Sequence, residues 1–161
     1  MTDEEGVRRA IALAERAERA GEVPVGAVWS NGSVLVEAQN EKERRTDPTA
    51  HAETLALREA GSRLGSWRTG GTLYVSKEPC AMCAGAMVAA RLERLVYGCS
   101  DPKAGAAGSV IDVFASEAVN HRVEVVGGVL AQETGEQLRA FFARRRSSAS
   151  EPPGTESETV L

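Results

Sequence analysis

The feature that most constrains this chain is a pair of short segments that carry metal-ligand side chains. His51 is followed two positions later by Glu53, and Pro79 directly precedes Cys80, which lies three positions before Cys83. One imidazole and two thiolates can fill three positions of a tetrahedral zinc ion and leave the fourth for water. The metal lowers the pKa of such a water to roughly 7, and a neighbouring carboxylate can move its proton. The two segments therefore predict a zinc site with Glu53 as an unligated acid-base residue.

Other interpretations exist for each segment taken alone. The Cys-x-x-Cys pair could be a redox pair or two small buried residues on a helix. A redox pair usually lies in a thioredoxin-like context, whereas this pair follows a Glu-Pro turn. His51 alone would more often be a satisfied histidine at a helix start than a ligand, and the second histidine, His121, is not assigned to the metal. The two segments together favour a metal site.

Length and composition limit the class of protein. The chain has 161 residues, enough for one domain with a sizeable core. It has three cysteines, and it shows neither the apolar region of a signal peptide nor an apolar run long enough to span a membrane. We therefore expect a soluble protein of the reducing cytoplasm without a membrane partner.

The formal net charge of -4 does not argue against a nucleic-acid partner, because the charge is unevenly distributed. Six of the 23 acidic residues lie in the first five or the last eleven positions. The 17 acidic and 19 basic residues between positions 6 and 146 leave that stretch with a charge of +2. Clusters of cations within it can meet phosphates.

Hydrophobic periodicity and turn signals predict an α/β fold. Asn31-Gly32 is a strong hairpin signal, and Ser, Pro, Glu, Gly and Thr dominate after Arg146. We expect strands at 23–30, 33–38, 72–76, 95–99 and 123–126, a polar loop at 39–49, and helices at 3–20, from about 50 to 61–65, from 79 onward and at 132–146. This order predicts a three-layer α/β/α sandwich with a mixed five-stranded sheet. We expect one domain of residues 1–146, followed by a disordered acidic tail of residues 147–161.

The positions of the ligands on their helices locate the site. Pro79 at a helix start places Cys80 and Cys83 at i and i+3 on one face, near the positive end of the helix that favours thiolates. His51 and Glu53 are about 200° apart on a regular helix, so they cannot share a face. The metal is therefore expected between two helix tips.

Five segments together resemble one family. They are residues 22–28 (Glu-Val-Pro-Val-Gly-Ala-Val), 47–53 (Asp-Pro-Thr-Ala-His-Ala-Glu), 78–87 (Glu-Pro-Cys-Ala-Met-Cys-Ala-Gly-Ala-Met), 101–109 (Asp-Pro-Lys-Ala-Gly-Ala-Ala-Gly-Ser) and 120–124 (Asn-His-Arg-Val-Glu). From about Val7 to Arg146 the chain resembles bacterial tRNA-specific adenosine deaminases. The zinc motif is shared by the whole cytidine deaminase-like superfamily. The segments that begin at Asp101 and at Asn120 are more particular to the tRNA branch.

The resemblance implies a function and a set of residues. It implies the cytidine deaminase-like fold and a homodimer with one Zn²⁺ per subunit. It also implies that zinc-activated water converts adenosine to inosine by hydrolysis. The expected substrate is the adenosine at wobble position 34 in the anticodon loop of an arginine tRNA. His51, Cys80 and Cys83 match the zinc ligands, Glu53 matches the proton shuttle, Asn40 matches the contact to the target base, and Asp101, Lys103, Asn120, His121 and Arg122 fall in loops assigned to RNA contact. Lys77 departs from the family, which usually has an apolar residue there.

Two rival functions use the same residues. A deaminase of free guanine, cytosine or cytidine would carry the same zinc ligands. A non-catalytic zinc or RNA-binding module is the second rival, and Glu53 argues against it because a structural zinc site needs no unligated carboxylate. Cys99 stays open as a fourth ligand that would favour such a module.

Overall fold

The computed structural model describes residues 1–149, in which five helices and five strands form a single layered unit. The helices are α1 Asp3–Arg19, α2 Lys42–Arg45, α3 Ala52–Leu64, α4 Ala81–Ala89 and α5 Ala131–Ala149, and the strands are β1 Gly26–Ser30, β2 Leu35–Gln39, β3 Thr72–Lys77, β4 Arg94–Cys99 and β5 Glu124–Val126. None of the helices within the described range is long and apolar enough to cross a membrane.

The strands form one mixed sheet in the order β2-β1-β3-β4-β5. Strand β1 is antiparallel to both of its neighbours, and β3, β4 and β5 are parallel to one another. The β1–β2 hairpin turns at Gly32, whose φ is +91°, while the Asn31 side chain accepts hydrogen bonds from the backbone of Ser33 and Val34. The predicted hairpin and the predicted five-stranded mixed sheet are both confirmed.

Helices cover both faces of the sheet. On one face Val7 and Leu13 of α1 pack on Val28, Tyr74 and Val96, and α5 lies beside α1. On the other face α3 and α4 pack in a larger core around fully buried side chains of the strands, namely Trp29, Leu73, Val75 and Leu95. This arrangement is the predicted three-layer α/β/α sandwich, and it directs the first residues of α3 and α4 to the same end of the sheet.

The structure corrects the predicted start of α3. The helix begins at Ala52, and His51 is its N-cap with extended backbone angles of φ -77° and ψ 151°. The preceding residues cannot join the helix because Asp47 holds them in a turn, accepting hydrogen bonds of 2.8 Å from both the N–H and the hydroxyl of Thr49. The polar segment before this turn, predicted as loop, contains the short helix α2, whose Glu43 N–H donates to the buried carboxylate of Glu22.

The last helix is longer than predicted. Helix α5 runs to Ala149, so residues 147–149 of the predicted tail belong to it. The other residues of that tail, 150–161, lie outside the described part of the chain.

Candidate active site

The three predicted ligands converge at the tips of α3 and α4. His51 Nδ1 lies 3.6 Å from Cys80 Sγ and 3.4 Å from Cys83 Sγ. A tetrahedral zinc ion with its usual bond lengths of about 2.0–2.1 Å to nitrogen and about 2.3 Å to sulfur holds these atoms about 3.5 Å apart. All three donor atoms lie within 4.8 Å of one another. Donor chemistry and spacing therefore both fit zinc.

Local backbone geometry explains why these side chains meet. His51 and Cys80 are the N-caps of α3 and α4, and neither side chain makes a capping hydrogen bond to its own helix. Each side chain is therefore free to point across the gap between the two tips. The unpaired N–H groups and the helix dipole at such an end favour thiolates, the form that binds zinc.

The contact between the two thiols shifts their pKa values in opposite directions. The hydrogen bond from Cys83, together with that from His51, lowers the pKa of Cys80 to about 3 although burial opposes this. The same bond to Cys80, reinforced by burial, raises the pKa of Cys83. The hydrogen bond to Cys80 also raises the pKa of His51. Zinc requires both thiolates and a neutral imidazole, so binding of the metal displaces these protons.

Glu53 lies beside the ligands without belonging to them. It stands in the first turn of α3 with only 4% of its surface exposed, and its Oε2 is 3.9 Å from His51 Nδ1. Burial raises the pKa of its carboxyl group. A carboxyl group whose pKa is moved toward neutrality next to a metal site is suited to accept and return a proton.

Asn40 is buried at the same tip of α3. Its Oδ1 accepts a 2.9 Å hydrogen bond from the N–H of Ala52, and its Nδ2 donates to the carbonyl of Val23 at 3.3 Å. The amide is thus fixed next to His51, and its contact with a target base stays a prediction.

Cys99 lies outside the ligand group. It is half-buried at the end of β4, and its thiol faces the carbonyl of Ser76 at 3.9 Å. Within residues 1–149 the potential metal ligands that cluster are His51, Cys80 and Cys83. The three-ligand arrangement leaves a coordination position for water, as in catalytic zinc sites.

Glu78 organises the loop beside the site, a function that the sequence analysis missed. Its carboxylate is only 2% exposed and accepts backbone hydrogen bonds from Asp101 at 3.3 Å, Ala107 at 3.2 Å and Ser109 at 3.3 Å. The Ser109 hydroxyl donates to it as well. Gly105 allows this approach, since a Cβ there would lie 2.0 Å from Glu78 Oε2. The available signal was a glutamate directly before the ligand segment together with a glycine-rich loop that offers N–H donors.

Lys77 and Asp101 make a second connection between β3 and this loop. The Lys77 ammonium lies 2.9 Å from Asp101 Oδ2, and Asp101 Oδ1 accepts from the N–H of Lys103 and of Ala104. Burial opposes ionisation of Asp101, but Lys77 and these N–H groups outweigh it, so the pKa of Asp101 is lowered. Lys77, the departure from the family pattern, thus has a specific partner, while the Lys103 side chain is exposed.

The other predicted RNA contacts lie at the opposite end of the sheet. His121 Nε2 donates to the carbonyl of Leu92 at 2.6 Å, just before β4 begins. Arg122 donates to the carbonyls of Phe114 and Ser116, which lie in the connection between β4 and β5. The six residues of β4 span about 17 Å. Within one chain Asn120, His121 and Arg122 are therefore separated from the metal ligands by about the length of a strand, and their contact with RNA stays a prediction.

The chain matches known deaminases over most of its length. A family model described as MafB19-like deaminase matches residues 1–146. The tRNA-specific adenosine deaminase of Bacillus subtilis is 47% identical over 146 residues, which cover 89% of this chain and 91% of that protein. This chain belongs to the tRNA-specific adenosine deaminase family. The predicted enzyme class is confirmed, and the ligand geometry supports the zinc cofactor that the class uses.

Solved structures agree with this deaminase assignment. A chain from a study of A-to-I editing by tRNA:A34 deaminases at the wobble position of transfer RNA superposes with a TM-score of 0.80 at 38% identity, covering 83% of this chain and 99% of that one. The guanine deaminase of Bacillus subtilis superposes with a TM-score of 0.62 at 31% identity, covering 95% and 99%. The cytidine deaminase-like fold is confirmed.

Proposed function

We propose that this deaminase converts adenosine to inosine at wobble position 34 of a tRNA anticodon loop, and that its substrate is an arginine tRNA. The observation that carries the proposal is the 47% identity to a tRNA-specific adenosine deaminase across nearly the whole of both chains. The site supports the reaction, because three ligands with an adjacent unligated carboxylate suit the hydrolytic removal of an exocyclic amine.

His51, Cys80 and Cys83 would hold a zinc ion, whose Lewis acidity would bring the pKa of a water to roughly 7. Glu53 would take one proton from the attacking water as the water oxygen bonds to C6 of adenine, and would pass this proton to the ring nitrogen N1. It would then carry the remaining proton of that oxygen to the amino group, which leaves as ammonia when the C6–N bond breaks. Water and adenosine are consumed, and inosine and ammonia are formed.

Substrate recognition is divided between the pocket and its surroundings. The fixed amide of Asn40 contacts the flipped base, and the loop held by Glu78 and Asp101 borders the pocket. An adenosine in an anticodon loop is already partly unstacked, so extruding it costs less than the few kcal/mol required in a duplex. These contacts explain how a loop nucleotide reaches a buried carboxylate.

We also propose that the protein acts as a homodimer in the cytoplasm. Helix α4 exposes a row of small or apolar residues, and the β4–β5 connection exposes an apolar pair. They are Ala81, Met82, Gly85 and Ala89 on the helix and Val110 and Ile111 in the connection. An apolar surface of this kind is typical of a subunit interface. The three cysteines are free thiols, which fits a reducing compartment.

A deaminase of free guanine is the second candidate, favoured by the match to a guanine deaminase at 31% identity. The chain from the study of tRNA:A34 deaminases has the higher identity and the higher TM-score, which favours RNA over free guanine as the substrate. Both candidates use the same zinc ligands, so only the substrate separates them.

A direct competition of substrates tests the proposal. Zinc-loaded protein is incubated with an arginine-tRNA anticodon stem-loop carrying adenosine 34, and in parallel with free adenosine, cytidine and guanine at equal concentration. We expect inosine at position 34 as the main product, measured by nuclease digestion and mass spectrometry. A stem-loop with guanosine at that position is the control, and faster turnover of a free base or nucleoside would identify a metabolic deaminase instead.

Replacing Glu78 by glutamine is expected to lower kcat/KM on the stem-loop by about 10- to 100-fold while zinc remains bound, because an error of about 1 Å in positioning can cost that much. The NH₂ group of the glutamine side chain would face backbone N–H donors in place of a carboxylate oxygen. The loop would lose hydrogen-bond acceptors and would be held less firmly. The control is Glu117→Gln, which alters an exposed glutamate in the β4–β5 connection, the connection that also contains the loop bound by Glu78. Unchanged kinetics in Glu78→Gln with zinc bound would show that the loop does not depend on this carboxylate.

A further inference from the structure

We propose that Trp67, Arg68 and Arg91 form a second RNA-binding surface, called here the Trp67 surface, at the end of the sheet opposite the metal ligands. The surface binds an unpaired base and its neighbouring phosphates in RNA outside the reacting nucleotide. This inference rests on the proposed function, since it assumes an RNA substrate.

The first observation is an indole that the fold leaves in solvent. The Trp67 side chain is 61% exposed, whereas Trp29 is fully buried. The guanidinium carbon of Arg68 lies 4.7 Å from the Trp67 ring centroid and that of Arg91 lies 5.6 Å from it. Cation–π contacts of this kind orient a ring that the core does not hold. Because 61% of the Trp67 side chain stays exposed beside these guanidinium groups, the ring has room to stack with a base.

The loop that carries Trp67 is tied to the body at both sides. The N–H of Ser66 donates to the carbonyl of Gly61 in α3 at 3.1 Å, and the N–H of Thr69 donates to the carbonyl of Ala90 at 2.9 Å. The Arg91 guanidinium donates to the carbonyl of Val88 at 2.8 Å. The aromatic ring and both cations are therefore presented on anchored backbone.

The second observation is the charge of the surface. Neither Arg68 nor Arg91 has a carboxylate within 4.0 Å among residues 1–149, in contrast to Arg63 or Arg94, which are paired. An exposed glutamate, Glu93, lies near Gly70 without pairing with either arginine. Two uncompensated guanidinium groups beside an exposed indole match the phosphates and bases of a single strand.

A second copy of this chain is a poorer occupant. In a two-fold interface the same patch faces itself, which would bring the unpaired arginines of both copies together. Like charges in contact across an interface are unfavourable. A polyanion avoids this repulsion.

The distance from the metal ligands determines which kinetic constant should change. Helix α3 runs from the metal-ligand end of the sheet to the end that carries the Trp67 surface. Its 13 residues span about 20 Å at 1.5 Å per residue. Within one chain the Trp67 surface is therefore too far away to touch the reacting base. A remote contact that is equal in the ground state and the transition state changes KM and leaves kcat alone.

The test measures binding and turnover separately on the zinc-loaded enzyme. Anisotropy with a labelled stem-loop and with full-length tRNA gives Kd and its salt dependence. We expect Trp67→Ala to weaken binding about 5- to 100-fold, the range for loss of one base–aromatic stack, and Trp67→Phe to restore much of it. The double variant Arg68→Gln, Arg91→Gln should lower the salt slope by between about one and two. In all three variants KM should rise with kcat unchanged.

Intrinsic fluorescence provides a direct readout. Stacking of a base on Trp67 should quench the wild-type emission on addition of RNA, and Trp67→Phe should remove that response because only the buried Trp29 remains. The matched control is the double variant Arg16→Gln, Arg19→Gln, which removes two exposed arginines of α1.

The outcomes are distinguishable. Wild-type enzyme that deaminates the stem-loop, with unchanged Kd and salt slope in the Trp67 and Arg68/Arg91 variants, overturns the Trp67 surface alone. A change in oligomeric mass of these variants with unchanged RNA affinity also overturns it and identifies a protein interface. Absence of deamination of any RNA by the wild type overturns the proposed function instead.

Discussion

Replacing Glu53 by glutamine is expected to abolish nearly all turnover while zinc stays at about one ion per chain. The carboxylate is buried 3.9 Å from His51 Nδ1 and is not one of the ligand atoms, so the substitution removes a proton carrier and spares the metal. A general acid-base residue typically supplies a factor of about 100 to 10,000 in rate. Inosine formation on the stem-loop and metal analysis by mass spectrometry measure the two effects on the same sample.

Glu59→Gln is the matched control for this variant. Glu59 lies on the same helix in an exposed ion pair with Arg63, and exposed pairs contribute about 0–1 kcal/mol to stability. Its loss should leave both turnover and zinc unchanged. Near-normal activity in Glu53→Ala, or loss of zinc in Glu53→Gln, would remove Glu53 from the proposed mechanism.

Replacing Cys80 and Cys83 together by alanine should eliminate bound zinc and activity. Each thiolate is one of the three ligands predicted among residues 1–149, and a single histidine does not retain the ion. Cys83 is also fully buried in the core around α3 and α4, so circular dichroism should accompany metal analysis to confirm that the double variant folds.

Cys99→Ala is the control that isolates coordination from general loss of a thiol. Cys99 faces the Ser76 carbonyl and lies apart from the ligand group, so this variant should keep its zinc. Zinc at full stoichiometry in the Cys80→Ala, Cys83→Ala double variant would refute the ligand assignment. Loss of zinc in Cys99→Ala would restore the four-ligand, non-catalytic alternative.

The sequence was sufficient to predict that His51, Cys80 and Cys83 come together, and to predict the layers of the fold, because both depend on local patterns. The Cys80–Cys83 spacing follows from one helical turn, and the hairpin follows from the turn preference of Asn31-Gly32. The start of α3 was predicted too early, since the side-chain bonds of Asp47 competed with the helix for the residues before His51.

The surroundings of the pocket could not be predicted in the same way. The partners of Glu78 lie 23, 29 and 31 positions further along the chain, in a connection without helical or strand periodicity. Only the path of this connection decides that Asp101 lies at the metal end while His121 lies at the far end. The pairing of Lys77 with Asp101 depends on the same path.

The bond from Asn40 to the N–H of Ala52 has a consequence for local unfolding. First turns of helices normally fray, because their N–H groups have no partner within the helix. Here the first N–H of α3 is bonded to a side chain that follows directly after β2, and β2 is paired with β1 in the sheet. Opening the segment that presents His51 therefore breaks a bond to the edge of the sheet, so the fold itself holds this end of α3 in position and opposes its local fraying.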